Sequence, residues 1–230
     1  DAWGRRLRAQ LPVGVRSLGL SSRGAPGADL RADDIRLDNA GIAFSFHCDG
    51  QAHAVRSPLL GRFNVDNLLA VAGALHAFGD GCADIAAVLG ALEPVPGRMN
   101  RLGGDGRLPL VVVDYAHTPD ALENVLKTAR ETMTTGGRLW CLYGCGGERD
   151  VPKRRLMGSL AERHADRVIV TSDNPRREDP EAILSEIRRG MDAPGDAVWI
   201  VDRRAALGYA AEYLAPGDVL VVAGKGHEPY

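Results

Sequence analysis

Five short apolar runs alternate with helical patterns in the second half of the chain, and this alternation constrains the fold most strongly. Strands that alternate with helices of this length predict a parallel sheet with helices on both faces. The runs are continuously apolar, as strands buried on both sides require. The sequence therefore predicts an α/β fold with a doubly wound, mostly parallel sheet. The predicted strands are 108–114, 139–143, 167–171, 198–201 and 219–223.

Composition is that of an ordinary globular protein. The 230 residues are 45% apolar and 25% charged, and the formal net charge of −2 predicts no general affinity for nucleic acid. We expect neither a transmembrane helix nor a signal peptide, because no apolar run is long enough. The four cysteines show neither disulfide nor zinc-ribbon spacing, which favours a reducing cytoplasm. They are Cys48, Cys82, Cys141 and Cys145.

The first 60 residues are predicted to be β structure with loops. Strands at 42–47 and 51–55 flank Asp49 and Gly50, a pair that strongly favours a hairpin turn. His47 and Cys48 are interpreted as a structural pair rather than as metal ligands.

Two helices are predicted to follow, and the first opens near Asn64. Asn64 is a plausible N-cap, while Asn67 lies three residues on, where both amides could meet a ligand. The second helix spans about 83–92 and is stopped by prolines. The glycine-rich segment 103–106 is the best linker candidate, so we predict a domain boundary between residues 103 and 104.

A polar turn follows the third predicted strand and carries both signs of charge. Ligands of open α/β sheets bind outside the carboxyl ends of the strands, where Asp173, Asn174 and Arg176 are predicted to lie. An acid, an amide and a guanidinium suit a small zwitterion. Taken alone, however, this turn favours an ordinary strand-to-helix loop with solvated charges. The next helix is predicted to begin at Pro180, with Asp179 as its N-cap.

The loops after the first two strands are also ambiguous when each is taken alone. Asp114 could bind a ribose hydroxyl or cap the following turn. The segment 144–150 is rich in glycine, which lets backbone N–H groups approach a ligand or simply makes a tight turn. Arg149 stands where a third glycine of G-x-G-x-x-G would be, so a nicotinamide cofactor is disfavoured.

The loop after the fifth strand places Lys225 between two glycines, but no full phosphate-loop pattern occurs in the sequence. His227 lacks an evident nucleophile partner. A parallel sheet places all these loops at one edge. Two cationic and two anionic side chains there would fit a ligand that has more than one pair of amino and carboxylate groups. A diamino dicarboxylate would satisfy both arginines, whereas lysine would leave one without an anion. The four expected anchors are Arg149, Asp173, Arg176 and Glu228.

Six motifs, in order along nearly the whole chain, resemble those of the Mur ligases, and in particular of members that add meso-diaminopimelate. The tetrapeptide 173–176 resembles the mark of that specificity. The motifs are 61–67 (GRFNVDN), 96–99 (PGRM), 114–122 (DYAHTPDAL), 144–150 (GCGGERD), 173–176 (DNPR) and 224–228 (GKGHE).

The resemblance implies that residues 1–103 are the later part of a mixed α/β ATPase domain and 104–230 a Rossmann-like C-terminal domain. It implies a cytoplasmic, monomeric ligase of peptidoglycan synthesis that uses ATP and Mg²⁺. Its substrates would be meso-diaminopimelate and UDP-N-acetylmuramoyl-L-alanyl-D-glutamate, joined through an acyl phosphate. The family's P-loop, metal ligands and carbamylated lysine would lie upstream, so we expect this chain, part of something longer, to be inactive alone.

The resemblance also assigns binding residues by motif, with no catalytic residue or metal ligand in this chain. Asn100 stands where the family commonly has glutamate, and the loop 150–155 replaces a more glycine- and lysine-rich version. The implied ATP-binding residues are Asn64, Asn67, Arg98, Asp114 and His117. The implied amino-acid-binding residues are Arg149, Asp173, Asn174, Pro175, Arg176, Gly224 and Glu228.

Three alternatives stay open. An L-lysine-adding or folylpolyglutamate-type ligase would share the chemistry, and Arg176 is the discriminating residue. A noncatalytic amino-acid-binding module is supported by the missing P-loop. A nicotinamide-dependent dehydrogenase is the weakest, because the glycine pattern departs from the dinucleotide motif.

Overall fold

A computed structural model describes residues 2–133, 136–148 and 150–225. The chain forms two compact units, one containing residues 1–37 and 41–93, the other 38–40 and 94–230. Each unit has its own sheet. None of the described helices is both long enough and apolar enough to span a bilayer.

The first unit packs helices against a four-stranded sheet of order β1-β2-β3-β4. β3 and β4 form the predicted hairpin, in which Cys48 pairs with Gln51 around the turn. Asp49 and Gly50 have φ values of 49° and 77°, as the turn's left-handed positions require. The elements are α1 (Ala2–Ala9), β1 (Leu20–Ser21), β2 (Leu30–Asp38), β3 (Gly41–Cys48), β4 (Gln51–Ser57), α2 (Phe63–Phe78) and α3 (Cys82–Ala91).

Val65, Leu68, Leu69 and Ala72 lie at helical spacing along α2 and are buried in the core of this unit. The prediction that Asn64 is the N-cap is wrong. α2 begins at Phe63, and the Asn64 amide donates to the Leu60 carbonyl at 2.7 Å.

The second unit holds a six-stranded sheet of order β5-β6-β10-β7-β8-β9, parallel except for β5. This arrangement confirms the predicted α/β fold with a mostly parallel, Rossmann-like sheet. The strands are β5 (Asn100–Gly103), β6 (Leu110–Asp114), β7 (Leu139–Tyr143), β8 (Arg167–Val170), β9 (Val198–Trp199) and β10 (Val219–Ala223).

Helices between these strands complete the second unit. On one face, α7 packs Ala206 and Ala210 against Trp140, Leu142 and neighbouring strand residues. α4, α5 and α6 pack in series, with α4 against β7 and β10. The helices are α4 (Pro119–Thr132), α5 (Pro152–His164), α6 (Pro180–Arg188) and α7 (Arg203–Tyr213).

The starts of these helices follow local sequence rules in most cases. Asp179 caps α6 as predicted, accepting a hydrogen bond from Glu181 N at 3.1 Å. α5 begins at Pro152, within the segment 150–155 that the sequence predicted to be a loop. Proline is favoured in the first helical turn, because it has no N–H to leave unpaired there.

β5 was not predicted from the sequence. It pairs antiparallel with β6, so residues 100–103 lie in the second unit although they precede the boundary predicted at 103/104. The compact units divide instead between Glu93 and Pro94. The assignment of the two sequence domains stays a prediction.

Candidate functional site

The carboxyl ends of the parallel strands bring the predicted loops of the second unit to one edge of its sheet. β10 lies between β6 and β7, and Ala223 pairs with Asp114. Gly224 N donates to the Asp114 carbonyl at 3.2 Å. A Cβ atom at Gly224 would lie 3.2 Å from Asp173 Oδ2, so the Gly224 backbone and the Asp173 carboxylate are neighbours.

The loops after β7 and β8 are joined directly. Gly147 N donates to the Asn174 carbonyl at 2.8 Å, and Arg176 Nη1 donates to the Gly147 carbonyl at 2.7 Å. Arg176 is exposed and has φ of 52°, a left-handed backbone that is uncommon for a residue other than glycine. The bond to Gly147 uses one of its five N–H donors, so the guanidinium retains donors for an anion.

Gly147 permits this close approach of the two loops. A Cβ atom there would lie 2.0 Å from the Pro175 carbonyl oxygen, far inside van der Waals contact. The Asn174 and Pro175 positions are therefore fixed by backbone packing as well as by hydrogen bonds.

Arg154 is a buried residue behind these loops that the sequence interpretation missed. Its guanidinium donates hydrogen bonds to both carboxylate oxygens of Glu178, at 2.8 and 2.9 Å, and to the Gly146 carbonyl at 3.2 Å. Glu178 in turn accepts from the backbone N–H of Glu148. The sequence does contain a signal for its burial. Arg154 shares the helical spacing of Met157, Gly158 and Ala161, which form the buried face of α5.

The Arg154–Glu178 pair predicts a pH-dependent stability. Hydrogen bonds from Arg154 lower the pKa of Glu178 from 4.5 to about 2. A carboxyl whose pKa is depressed by folding stabilises the fold above its unfolded pKa, and this contribution is lost as the pH falls. The free-energy difference between wild type and Glu178→Gln should be constant above about pH 4.5 and shrink towards pH 2, measured by urea unfolding.

The exposed Glu212 on α7 offers the matched control. Glu212→Gln should leave the pH profile of stability unchanged. A Glu178→Gln variant whose stability difference from wild type is the same at pH 2 and pH 6 would contradict the role of this pair.

Arg203 is a second cation, partly buried, that the sequence did not single out. Its Nη2 donates to the Ala223 carbonyl at 2.8 Å, while Nη1 is buried and has no hydrogen-bond partner among the residues described. Burial lowers the pKa of Arg203, and the Asp173 carboxylate opposes that shift. Arg203 thus places positive charge beside the predicted anchor Asp173.

Asp114 takes the capping position that the sequence left open. Its Oδ2 accepts from Met99 N at 2.9 Å and its Oδ1 from Ala116 N at 2.8 Å. Tyr115 N donates to the Gly97 carbonyl at 2.8 Å, so the segment that carries exposed Arg98 is tied to the end of β6. The role of Asp114 towards a ribose stays a prediction.

His117 is exposed at the start of the following loop. Its Nδ1 lies 2.9 Å from the Tyr115 carbonyl, and its ring packs edge-on against Tyr115. Lys153 Nζ donates to the His117 carbonyl at 2.9 Å, which adds a cation beside this loop.

The remaining predicted residues are distributed differently. Asn64 and Asn67 lie in the first unit, where Asn67 Nδ2 donates to Asn64 Oδ1 at 2.9 Å. Their contact with a ligand stays a prediction. Arg149, His227 and Glu228 lie outside the described residues.

Sequence comparison finds two families that together match most of the chain. The family described as Mur ligase, glutamate ligase domain, matches residues 97–226, and that described as Mur ligase middle domain matches residues 1–75. A UDP-N-acetylmuramoyl-L-alanyl-D-glutamate–2,6-diaminopimelate ligase of Xanthomonas campestris is 54% identical over 100% of this chain and 46% of its own length. The ligase of the same name from Xylella fastidiosa is 49% identical with the same coverage.

Solved structures agree with these similarities. A UDP-N-acetylmuramoyl-L-alanyl-D-glutamate–2,6-diaminopimelate ligase is 40% identical with a TM-score of 0.76, covering 100% of this chain and 46% of its own. A folylpolyglutamate synthase of Thermotoga maritima shares the fold at 19% identity and a TM-score of 0.67, covering 86% of this chain and 44% of its own. The chain thus spans about half the length of its relatives.

Proposed function

Because the chain belongs to the Mur ligase family, we propose that it forms the later part of an ATP-dependent ligase that adds meso-diaminopimelate to UDP-N-acetylmuramoyl-L-alanyl-D-glutamate. This is the activity of a UDP-N-acetylmuramoyl-tripeptide synthetase in peptidoglycan synthesis. The relatives that carry this activity in their names align with this chain over its full length.

The proposed reaction has two steps. The substrate carboxylate attacks the γ-phosphorus of ATP, which gives an acyl phosphate and ADP. An amino group of meso-diaminopimelate then attacks the acyl carbon, phosphate leaves, and the ammonium proton is released as the amide forms. This chain would supply amino-acid binding and part of the ATP site, whereas the reacting phosphate would be held by residues upstream.

The observation that carries the proposal is the convergence of Asp173, Arg176 and the Gly224 backbone at one sheet edge. A carboxylate can accept from the ammonium of an amino-acid head, and a guanidinium can fork onto a carboxylate. Arg149, Asn174, Pro175 and Glu228 would complete the site. Meso-diaminopimelate has two ammonium and two carboxylate groups, so it can use anchors of both signs.

The ATP side of the proposal rests on residues matched to the family by motif. Asn64 and Asn67 would contact the adenine, Arg98 the phosphates and Asp114 the ribose, with His117 nearby. Mg²⁺ would assist phosphoryl transfer, and its ligands are proposed to lie upstream of this chain. The protein is also proposed to act as a monomer in the cytoplasm.

Calorimetric titration of this chain with meso-diaminopimelate and with L-lysine tests the amino-acid site. We expect selective binding of meso-diaminopimelate, weakened at least about tenfold by Arg176→Ala, because a carboxylate would lose its bidentate partner. Arg177→Ala is the matched control, since the neighbouring Arg177 side chain is 92% exposed and lies 3.9 Å from Glu148.

Preference for L-lysine would contradict the proposed specificity and favour the lysine-adding alternative. If the Arg176 and Arg177 substitutions weakened meso-diaminopimelate binding equally, Arg176 would not be the residue that discriminates between the two amino acids. A longer protein that includes the upstream P-loop, yet shows no ATP-dependent ligation, would support the noncatalytic binding module instead.

A further inference from the structure

Four potential metal ligands meet in the first unit, two from the β3–β4 hairpin and two from the α2–α3 segment. Their ligand atoms all lie within 4.8 Å of one another. We call this group the thiol–histidine cluster. It consists of Cys48, Asp49, His76 and Cys82.

Three local structures bring the cluster together. The hairpin turn after β3 fixes Cys48 and Asp49. α2 carries His76 in its last turn and ends at Gly79, whose φ of 100° reverses the chain. α3 then begins at Cys82. The chain thus returns to the hairpin within one short connection, which the spacing of the cysteines alone did not reveal.

The contacts among the four side chains are close. His76 Nε2 lies 3.2 Å from both carboxylate oxygens of Asp49, and Cys82 Sγ lies 3.4 Å from Asp49 Oδ2. Cys48 and Cys82 are joined as a disulfide, with their Cα atoms 5.8 Å apart. The expectation that the cysteines form no disulfide is therefore wrong in this structure, because tertiary folding closes a separation of 34 residues.

A disulfide alone does not explain the histidine and carboxylate beside it. The side chain of His76 is only 19% exposed. Within the described part of the chain, its buried Nδ1 has no hydrogen-bond partner. Asp49 is 69% exposed, so an ion could reach the cluster from solvent.

We propose that the thiol–histidine cluster binds one zinc ion when its disulfide is reduced. Two thiolates, an imidazole and a carboxylate are a tetrahedral donor set of the kind that Zn²⁺ prefers, and the thiolates disfavour Mg²⁺ and Ca²⁺. In a tetrahedral zinc site, neighbouring donor atoms lie about 3.3–3.8 Å apart, close to the distances around Asp49. The site is independent of the proposed ligase function.

Reduction by a phosphine or a thiol adds two electrons and two protons to the disulfide. Zn²⁺ then displaces the two thiol protons, so binding should release about two protons and weaken as the pH falls. Oxidised glutathione would take the two electrons back, reform the disulfide and release the ion.

Zinc titration of the phosphine-reduced, chelator-dialysed chain tests the proposal, with a chromophoric chelator as competitor. We expect one zinc ion per chain and, with Co²⁺ in its place, a thiolate-to-cobalt charge-transfer band. Cys82→Ser should weaken the band, since only the Cys48 thiolate remains, and the Cys48→Ser/Cys82→Ser double variant should abolish it. His76→Gln should weaken zinc binding by at least about tenfold. Circular dichroism would verify that each variant is folded.

Cys145→Ala is the control, because this buried thiol is outside the cluster and burial raises its pKa to about 12. It should leave zinc binding unchanged. Zinc should also protect Cys48 and Cys82 from alkylation in the folded protein. Stoichiometric zinc that survives in the folded Cys48→Ser/Cys82→Ser double variant, or no zinc binding by the reduced wild type, would overturn the proposal.

Discussion

Replacement of Gly147 by alanine is expected to separate the loops that carry the candidate amino-acid anchors. The new Cβ would lie 2.0 Å from the Pro175 carbonyl oxygen. The backbone fixes the positions of both atoms, so neither can rotate away. Forced overpacking of this kind costs about 1–3 kcal/mol of stability. The displaced loop should also break the bond from Arg176 to the Gly147 carbonyl, so meso-diaminopimelate binding should fall at least about tenfold.

Gly208→Ala is the matched control for this substitution. Gly208 lies on the exposed side of α7, and a Cβ atom there would meet nothing within 4 Å. Alanine should stabilise the helix slightly, because glycine is the poorer helix former by about 1 kcal/mol. Urea unfolding and calorimetry would measure both variants. Wild-type binding by a stably folded Gly147→Ala protein would show that the loops need not be in contact.

Removal of Arg154 is expected to have the larger effect on stability. Arg154→Met leaves a chain of similar length but removes the bidentate bonds to Glu178 and the bond to the Gly146 carbonyl. Breaking an ion pair at a residue that is 1% exposed should cost about 3 kcal/mol. Since Glu178 also holds the Glu148 N–H, the loop after β7 should lose its orientation.

Two further variants separate charge from geometry at this position. Arg154→Lys keeps the charge but cannot make a planar fork, so it should recover only part of the stability. Arg155→Met alters the exposed neighbour on the same helix and should be nearly neutral. A loss no greater for Arg154→Met than for Arg155→Met, measured by urea unfolding, would show that the Arg154–Glu178 pair does not stabilise the fold.

Local sequence patterns predicted the elements of the second unit well. β7 and β10 have the predicted bounds, since each is a continuous apolar run between polar turns. The Asp49-Gly50 hairpin and the Asp179 cap also follow from short-range rules. The missed elements, such as β5, are short or lack an apolar pattern, because their pairing partners determine them.

The candidate site was predictable in part, because some of its residues follow from short-range sequence patterns. Asp173 and Arg176 follow a recognisable strand, whereas Arg154 and Arg203 lie in the first turns of helices and look like solvated charges until their contacts are known. Each does share the helical spacing of buried neighbours on its own helix. What each arginine contacts depends on a strand or loop distant in sequence, which periodicity cannot identify.

By itself, the sequence determined the alternation of strands and helices, the turn chemistry and the family, because these depend on local propensity and on motifs of adjacent residues. Only the tertiary structure decided that β10 lies between β6 and β7, which brings Gly224 beside both Asp114 and Asp173. It likewise decided that Cys48 meets Cys82. The physical reason is common to both cases: strand order and long-range contacts are selected by the packing of the whole unit, and no short stretch of sequence contains that information.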